Sequence, residues 1–401
     1  MTNPDPDVLV VGGGPAGSTA AHLLARAGWH VQVVDRARFP RAKACGECVN
    51  PGAVAALRRL GLLDAVLSLA PSRLDGWRLR TDGSDVAGDF GGDLHGLGVP
   101  RKLLDHALLS AAKSAGVSFL QEQRVERVTP AGTSGARPTV TLHGEGEHRT
   151  VRPRLVVGAD GLRSVVSRSL GLLARGPRQR KVSVTVHVVG SGLPSHRGVL
   201  DVRDGCTLGV APVGAGLWNV TLVVDARRDG HRLAGDPVDY LGSVMRDRFP
   251  EAAWTLEEGP WASGPFDWPT RRCWAPGVVL AGDAAGYFDP FTGQGIYRAL
   301  RSAELAAEAC HLTLGEGDPG SWEHLRRYSG RWVREVRWSR LVQRGVDRVM
   351  ARPALRRPLL QRLDASGGLQ KVIRVTGDAA SPSTLLRPSV WAGTRAQNKR
   401  T

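Results

Sequence analysis

Gly12, Gly14 and Gly17 stand in the spacing G-x-G-x-x-G, with Pro15 and Ala16 completing the turn between the last two glycines. Asp35, followed by Arg36, lies about 20 residues on. Each residue type has a chemical use. Gly12 permits a tight turn, Gly14 lets phosphate oxygens approach the backbone, and Gly17 lets a helix lie close to a strand. Free N–H groups and the positive end of the dipole at a helix start suit a pyrophosphate. An acid placed like Asp35 suits a ribose hydroxyl. Together these residues read as a dinucleotide site. A plain tight turn would account for the glycines but not for the acid that follows.

Two later stretches have the same texture. "RPRLVVGADGLRSVVSRSLGL" is a strand, the loop containing Asp160 and Gly161, and a helix start carrying Arg163, Ser164 and Arg168. "GVVLAGDAAGYFDPFTGQGI" is a strand, a turn with Gly282 and Asp283, and a second turn built on Pro290, Gly293 and Gly295 that enters a helix at Ile296. Asp283 can bond a sugar or ribityl hydroxyl, and the small residues after it keep the surface low. The helix "GIYRALRSAELAAEA" aims its N-terminus at whatever lies against the second turn. A glycine-rich turn serving packing alone explains Asp283 and the paired turns poorly.

In order and spacing, these three segments resemble the FAD-dependent oxidoreductases typified by para-hydroxybenzoate hydroxylase and geranylgeranyl reductase, over most of residues 7 to 310. The resemblance implies an α/β fold: a Rossmann-like, glutathione-reductase-type FAD-binding domain with an inserted β-sheet substrate domain and C-terminal helices. The expected boundaries are 1–70, 100–175 and 275–315 for FAD binding, 71–99 and 176–274 for the substrate sheet, and 316–401 for the helical region. By resemblance, the first motif holds the ADP half of FAD, Asp160 and Gly161 lie near flavin and nicotinamide, and Gly282 and Asp283 reach the ribityl chain. Arg101, opening the amphipathic stretch "VPRKLLDHALLSAAKSAGV", is implied as an FAD contact. Cys45, before Gly46, is implied beside the flavin. A helix N-terminus is worth about 1–2 kcal/mol, so the helix after Gly295 tunes the flavin and does not decide its chemistry.

Cys45-Gly46-Glu47-Cys48 is also a C-x-x-C. A redox dithiol, half a zinc site, packing beside the flavin and a covalent flavin link are the alternatives. No further ligands at matching spacing support zinc, and no metal is expected. Between 172 and 272 the chain alternates in strand fashion with glycine turns. Its aromatics and those of 71–99 (Trp77, Trp218, Trp254, Trp261, Phe266, Trp268) serve either an apolar pocket or a packed core. His95 and His187 could act as bases, although a lone strand histidine is more often structural. No catalytic acid or base is assigned.

The elements that position these groups need a large chain, and 401 residues suffice for two packed units. Hydrophobic content of 42% and charged content of 23% are ordinary for a soluble enzyme. Five scattered cysteines are not a disulfide framework. With no apolar run of about 18 residues and no leader pattern, the expected location is the cytoplasm. The net charge of +16 is mostly arginine spread along the chain. It fits an anionic cofactor or a membrane surface, and nucleic acid is not the expected partner. From about 316 the chain reads as helical and basic, with Trp322, Leu325, Trp332, Val336 and Val342 near one face. This region is expected to pack over the substrate domain and to offer peripheral membrane contact, ending in a flexible tail at 393–401.

The resemblance implies one of two reactions. The first is hydroxylation of an aromatic, phenolic or quinol-type molecule through a flavin C4a-hydroperoxide, with NAD(P)H as transient reductant. The second is geranylgeranyl reductase-like saturation of isoprenoid double bonds. "TLGVAPVG" stands where reductases carry Y-x-W-x-F-P, and the W-x-W-x-I-P of flavin halogenases is missing, so the sequence favours the monooxygenase. A non-catalytic flavoprotein or binding protein is the third reading. Substrate identity and oligomeric state are not legible.

Overall fold

The computed structural model describes residues 5–132, 136–144, 146–178, 180–203, 205–316, 322–387 and 390, so the tail expected to be flexible lies outside the described residues. One six-stranded sheet organises the first unit. Its order is Trp274–Ala275, Val278–Leu280, Leu155–Gly158, Val8–Val11, Val31–Val34, Ser118–Leu120. All but the edge strand Trp274–Ala275 run parallel. Val8, Leu9 and Val10 are fully buried, which matches the continuous apolar run of a strand covered on both faces.

The helix Pro15–Arg26 follows Gly14 directly, with Pro15 pre-setting its first turn and buried alanines lining its packed face. Small side chains let it lie against both the sheet and the long helix Gly295–Gly315. The architecture is α/β with a Rossmann-like unit, as the motif order implied.

The second unit is a seven-stranded sheet in the order Ala253–Ser263, Lys181–Ser191, Leu217–Asp225, Cys206–Gly214, Arg197–Arg203, Gly76–Thr81, Ser84–Asp89. Gly76–Thr81 pairs in parallel with Arg197–Arg203, so two distant stretches build one sheet. Ser72–Leu74 and Gly96–Gly98 do not join it. Gly96–Gly98 pairs with Ser72–Leu74 on one side and Cys48–Val49 on the other, in a small sheet of their own.

The strand-like texture of 172–272 also conceals two helices, Gly230–Gly235 and Pro237–Arg248. Asp236 caps the second by accepting from the N–H groups of Val238 and Asp239, with Pro237 at its first position. Tyr240, Leu241 and Met245 cover the valine face of the sheet formed by Val184, Val186 and Val188.

The C-terminal helices divide their packing. The apolar stripe of Glu323–Met350 does not lie over the substrate sheet, which the helix meets near its C-terminal end through Asp347 and Lys181. Its buried Leu325, Tyr328, Trp332 and Val336 enter the core of the first unit, and Tyr328 Oη donates to the Leu280 carbonyl at 2.6 Å. The helices Pro353–Ala365 and Gly368–Thr376 cover the inserted sheet's edge instead, through Leu360, Leu363, Leu369 and Ile373 against Val86 and Phe90. An apolar stripe states that a face is buried, not which surface buries it.

Candidate functional site

Strand register brings the three motifs together. Val11 lies opposite Gly158, which lies opposite Leu280, so the loops starting at Gly12, Ala159 and Ala281 leave the same edge of three adjacent parallel strands. In open α/β sheets that edge is where ligands bind. A Cβ on Gly12, whose φ is +104°, would stand 2.5 Å from the Ala159 carbonyl oxygen. One on Gly282 would stand 2.9 Å from Ala16 Cβ, and one on Gly17 only 1.8 Å from the Gly12 carbonyl oxygen. Gly12 and Gly282 are therefore required by close approach of motif to motif, and Gly17 by the close approach of the first helix to its own turn.

Other glycines face open space. Among the described residues, a Cβ on Gly14 would meet only Arg41 Nη2 at 3.4 Å and Asp105 Oδ2 at 4.0 Å, and Gly293 and Gly295 have nothing within 4 Å. The result is a low backbone trough running from the first helix start to the second.

The remaining expected residues fall around it. Asp35 Oδ2 accepts from Gly13 N–H at 2.8 Å and Oδ1 from Ala37 N–H at 2.8 Å, which fixes the carboxylate at the end of its strand, while Arg36 is exposed. Asp160 Oδ2 accepts from Val165 N–H at 2.6 Å, and among the described residues Oδ1 is buried without a hydrogen-bond partner. Burial lifts this carboxyl above the usual range. Gly161 has a φ of +80° and faces Lys43 Nζ. Asp283 is 4.0 Å from Lys43 Nζ. Pro290 accepts from Gly293 N–H to close the second turn, and Ile296 is buried beside Leu300.

The segment 41–48 crosses all three motifs, with Arg41 at Gly14 and Lys43 between Gly161 and Asp283. Neither cation was singled out from sequence. Arg101 is buried and clamps Asp105 with two bonds of 2.7 Å, and Asp105 also draws Arg41 to 3.3 Å. Arg101 thus reaches the Gly14 loop through Asp105, a partner the sequence reading missed one helical turn away. Cys45 is half-buried, and burial pushes the Cys48 thiol up to about 12. A thiol held protonated is a poor redox nucleophile. Among the described residues no group of His, Cys, Asp or Glu could hold a metal ion.

Glu47, between the cysteines, was also missed. Its side chain is 3% exposed and takes three donors: Arg101 N–H at 2.6 Å, His187 Nε2 at 2.6 Å and Asn219 Nδ2 at 3.0 Å. His187 Nδ1 faces Glu258 at 3.3 Å, and Glu258 continues to Lys102 at 3.1 Å. Burial alone would lower the His187 pKa, but the Glu47 bond and then Glu258 raise it above its ordinary value. His187 is therefore held by two carboxylates across the gap between the units. Among the described residues His95 bonds only the neighbouring Asp93 carbonyl. Trp261 meets the His187 ring edge-on, whereas Trp218 and Trp254 pack on the valine core and Phe266 is 2% exposed, so the aromatics do not form one pocket.

Asp378, from the C-terminal region, bonds Asn50 Nδ2 at 2.9 Å and Gln294 Nε2 at 2.6 Å. Both partners precede helix starts flanking the trough, and burial pushes Asp378 up to about 7.

A trough of this shape, with cations at its first helix start and carboxylates at the ends of adjacent strands, defines a dinucleotide-binding flavoprotein fold. The chain belongs to the FAD binding domain family, whose model matches residues 5–211. It is 32% identical to a menaquinone reductase of Mycolicibacterium smegmatis over 336 residues, 75% of each chain. It is 31% identical to a digeranylgeranylglycerophospholipid reductase of Methanothrix thermoacetophila over 339 residues, 82% of this chain and 83% of the relative. Its fold is similar to that of p-nitrophenol 4-monooxygenase PnpA from Pseudomonas putida, with a TM-score of 0.78 at 22% identity, covering 98% of this chain and 100% of that one. The chain is thus an FAD-dependent oxidoreductase by family.

Proposed function

We propose that this oxidoreductase saturates an isolated carbon–carbon double bond in a prenyl-bearing lipid. The observation that carries the reading is the similarity to two reductases at 31–32% identity over three quarters or more of the chain. The monooxygenase neighbour, at 22%, shares the fold alone. Bound in the trough, FAD would supply a ring able to take one hydride from NAD(P)H and give it to one alkene carbon, with a proton from solvent completing the other carbon.

The chain's own residues do the rest. Gly14 and the N-terminus of Pro15–Arg26, with Arg41 and Arg101 close by, hold the pyrophosphate. Asp35 takes the ribose, and Asp283 with Lys43 takes the ribityl hydroxyls. Gly293, Gly295 and Ile296 present backbone to the ring edge, where the helix N-terminus favours negative charge on the reduced form. Asp160 and Gly161 wall the opposite side, and the segment through Cys45 closes the trough against the inserted sheet.

Hydroxylation of an aromatic or quinol-type molecule, the expectation from sequence, is the second reading, favoured by "TLGVAPVG" at 207–214, which lacks the aromatic reductase motif. One assay separates the two. The purified yellow protein is given NADPH and either a geranylgeranyl lipid or a phenol, under argon and in air. Anaerobic loss of one double bond supports the proposal. Turnover only in air, with oxygen entering a phenol, replaces it with the second reading. Bound FAD without NAD(P)H oxidation on any acceptor leaves only a flavoprotein scaffold.

A further inference from the structure

The helix Glu323–Met350 carries eight arginines against three acids. Its inner face is accounted for: Leu325, Trp332 and Val336 are buried in the core, and Asp347 bonds Lys181, which also holds Asp289 at 3.0 Å. Glu335 is taken by Arg301. The outer face is different. Arg334, Arg337, Trp338, Leu341, Arg344 and Arg348 recur at three- and four-residue spacing, which places them on one side of the helix. All six are exposed, Trp338 by 47% and Leu341 by 53%. None of the four arginines is in an ion pair among the described residues. Leu355, exposed by 48%, extends the strip at the start of the next helix.

Exposed tryptophan and leucine between unpaired arginines make a surface with a definite complement. Large apolar side chains left in water cost free energy that a purely structural helix could avoid with polar residues there. A fixed row of guanidinium groups meets anionic headgroups, and an indole suits the boundary between headgroups and acyl chains. The same helix also reaches the site: Arg344, at the flank of the strip, lies over the Phe288 ring, and a Cβ on Gly286 would meet Arg340 on the inner side. Phe288 and Gly286 belong to the stretch joining Asp283 to Pro290 at the trough.

We infer that this outer face docks on an anionic lipid bilayer through Arg334, Arg337 and Arg348, with Trp338 and Leu341 entering the interface. Docking brings the trough's second turn to the membrane surface, where a lipid acceptor resides. The purpose of the surface rests on the lipid-reductase reading, but its existence does not, and the experiment keeps the two apart.

The test is co-sedimentation of the FAD-loaded full chain with substrate-free vesicles of phosphatidylglycerol and phosphatidylcholine, and with vesicles of phosphatidylcholine alone. Binding to the anionic vesicles, weakened by salt, is expected. Each arginine removed should lower affinity about five-fold, so Arg334→Gln, Arg337→Gln and Arg348→Gln together should lower it about a hundred-fold. These side chains are outside the trough, so flavin content should be unchanged, which also confirms folding. Brominated acyl chains should quench wild-type tryptophan fluorescence more than that of Trp338→Phe. No binding, equal binding to neutral vesicles, unchanged binding by the triple variant, or equal quenching in Trp338→Phe would each overturn the inference. So would salt-sensitive binding of duplex DNA through the same arginines with none to vesicles. Failure here leaves the reductase reading intact, and a docked protein that hydroxylates a phenol leaves the docking intact.

Discussion

Replacing Glu47 with Gln should remove the anchor between the two units, and it should do so in a pH-dependent way. Glu47 accepts from Arg101 N–H, His187 and Asn219 with its side chain 3% exposed, and the His187 side chain is 2% exposed. Breaking one side of such a buried pair costs about 3–5 kcal/mol. Gln adds a second penalty by turning an N–H towards groups that are already donors. The pH dependence follows from His187. Its folded pKa is raised above 6.5: burial lowers it, and Glu47 and Glu258 together more than offset that. That stabilisation is fully present below the unfolded pKa of about 6.5 and fades as pH rises through the folded value. In Glu47→Gln burial is opposed by Glu258 alone, the His187 pKa falls, and acid destabilises the variant. Urea denaturation midpoints at about pH 6 and about pH 8.5, with NMR titration of the His187 imidazole, measure both effects. The deficit should be larger at the lower pH. An equal deficit at both values, or a His187 pKa unchanged by the substitution, would refute the coupling.

Two glycine substitutions should separate packing from binding. Gly17→Ala puts a methyl 1.8 Å from the Gly12 carbonyl oxygen, so it should cost about 1–3 kcal/mol and abolish flavin retention, read from the flavin-to-protein absorbance ratio. Gly295→Ala meets nothing within 4 Å among the described residues, so it should melt like wild type yet bind FAD more weakly, because its methyl enters the trough. Asp201 is fully buried and held by Arg203 at 2.7 Å and by Arg248. Although burial raises its pKa, these arginines lower it overall. Asp201→Asn should therefore cost about 3–5 kcal/mol at neutral pH. Wild type loses that advantage as pH falls through the depressed folded pKa, so the two denaturation curves should converge in strong acid.

Local sequence determined the loops of this protein. A glycine needed for close approach, an acid ending a strand and a proline opening a helix are properties of a few neighbouring residues. Gly12, Gly17, Asp35, Asp160 and Asp283 were therefore legible as candidate site positions, and the order of three such loops was enough for the family. The helices Pro15–Arg26, Arg101–Ser114 and Glu323–Met350 were legible for the same reason, through periodicity and, in the first two, the glycines Gly28 and Gly116 that follow. Partnership was not. The ties of Glu47 to His187, 140 residues on, and of Asp378 to Asn50, 328 residues back, leave no trace in either neighbourhood. The helix Pro237–Arg248 was passed over among strands although Asp236 and Pro237 mark its start locally; that it covers a valine face of another element is what only the tertiary structure decided. The destination of Glu323–Met350 was hidden because its stripe fits any apolar surface. Torsional preference and periodicity act within a few residues of chain. Which buried charge meets which, and which stripe covers which sheet, is decided only when distant segments are brought into contact.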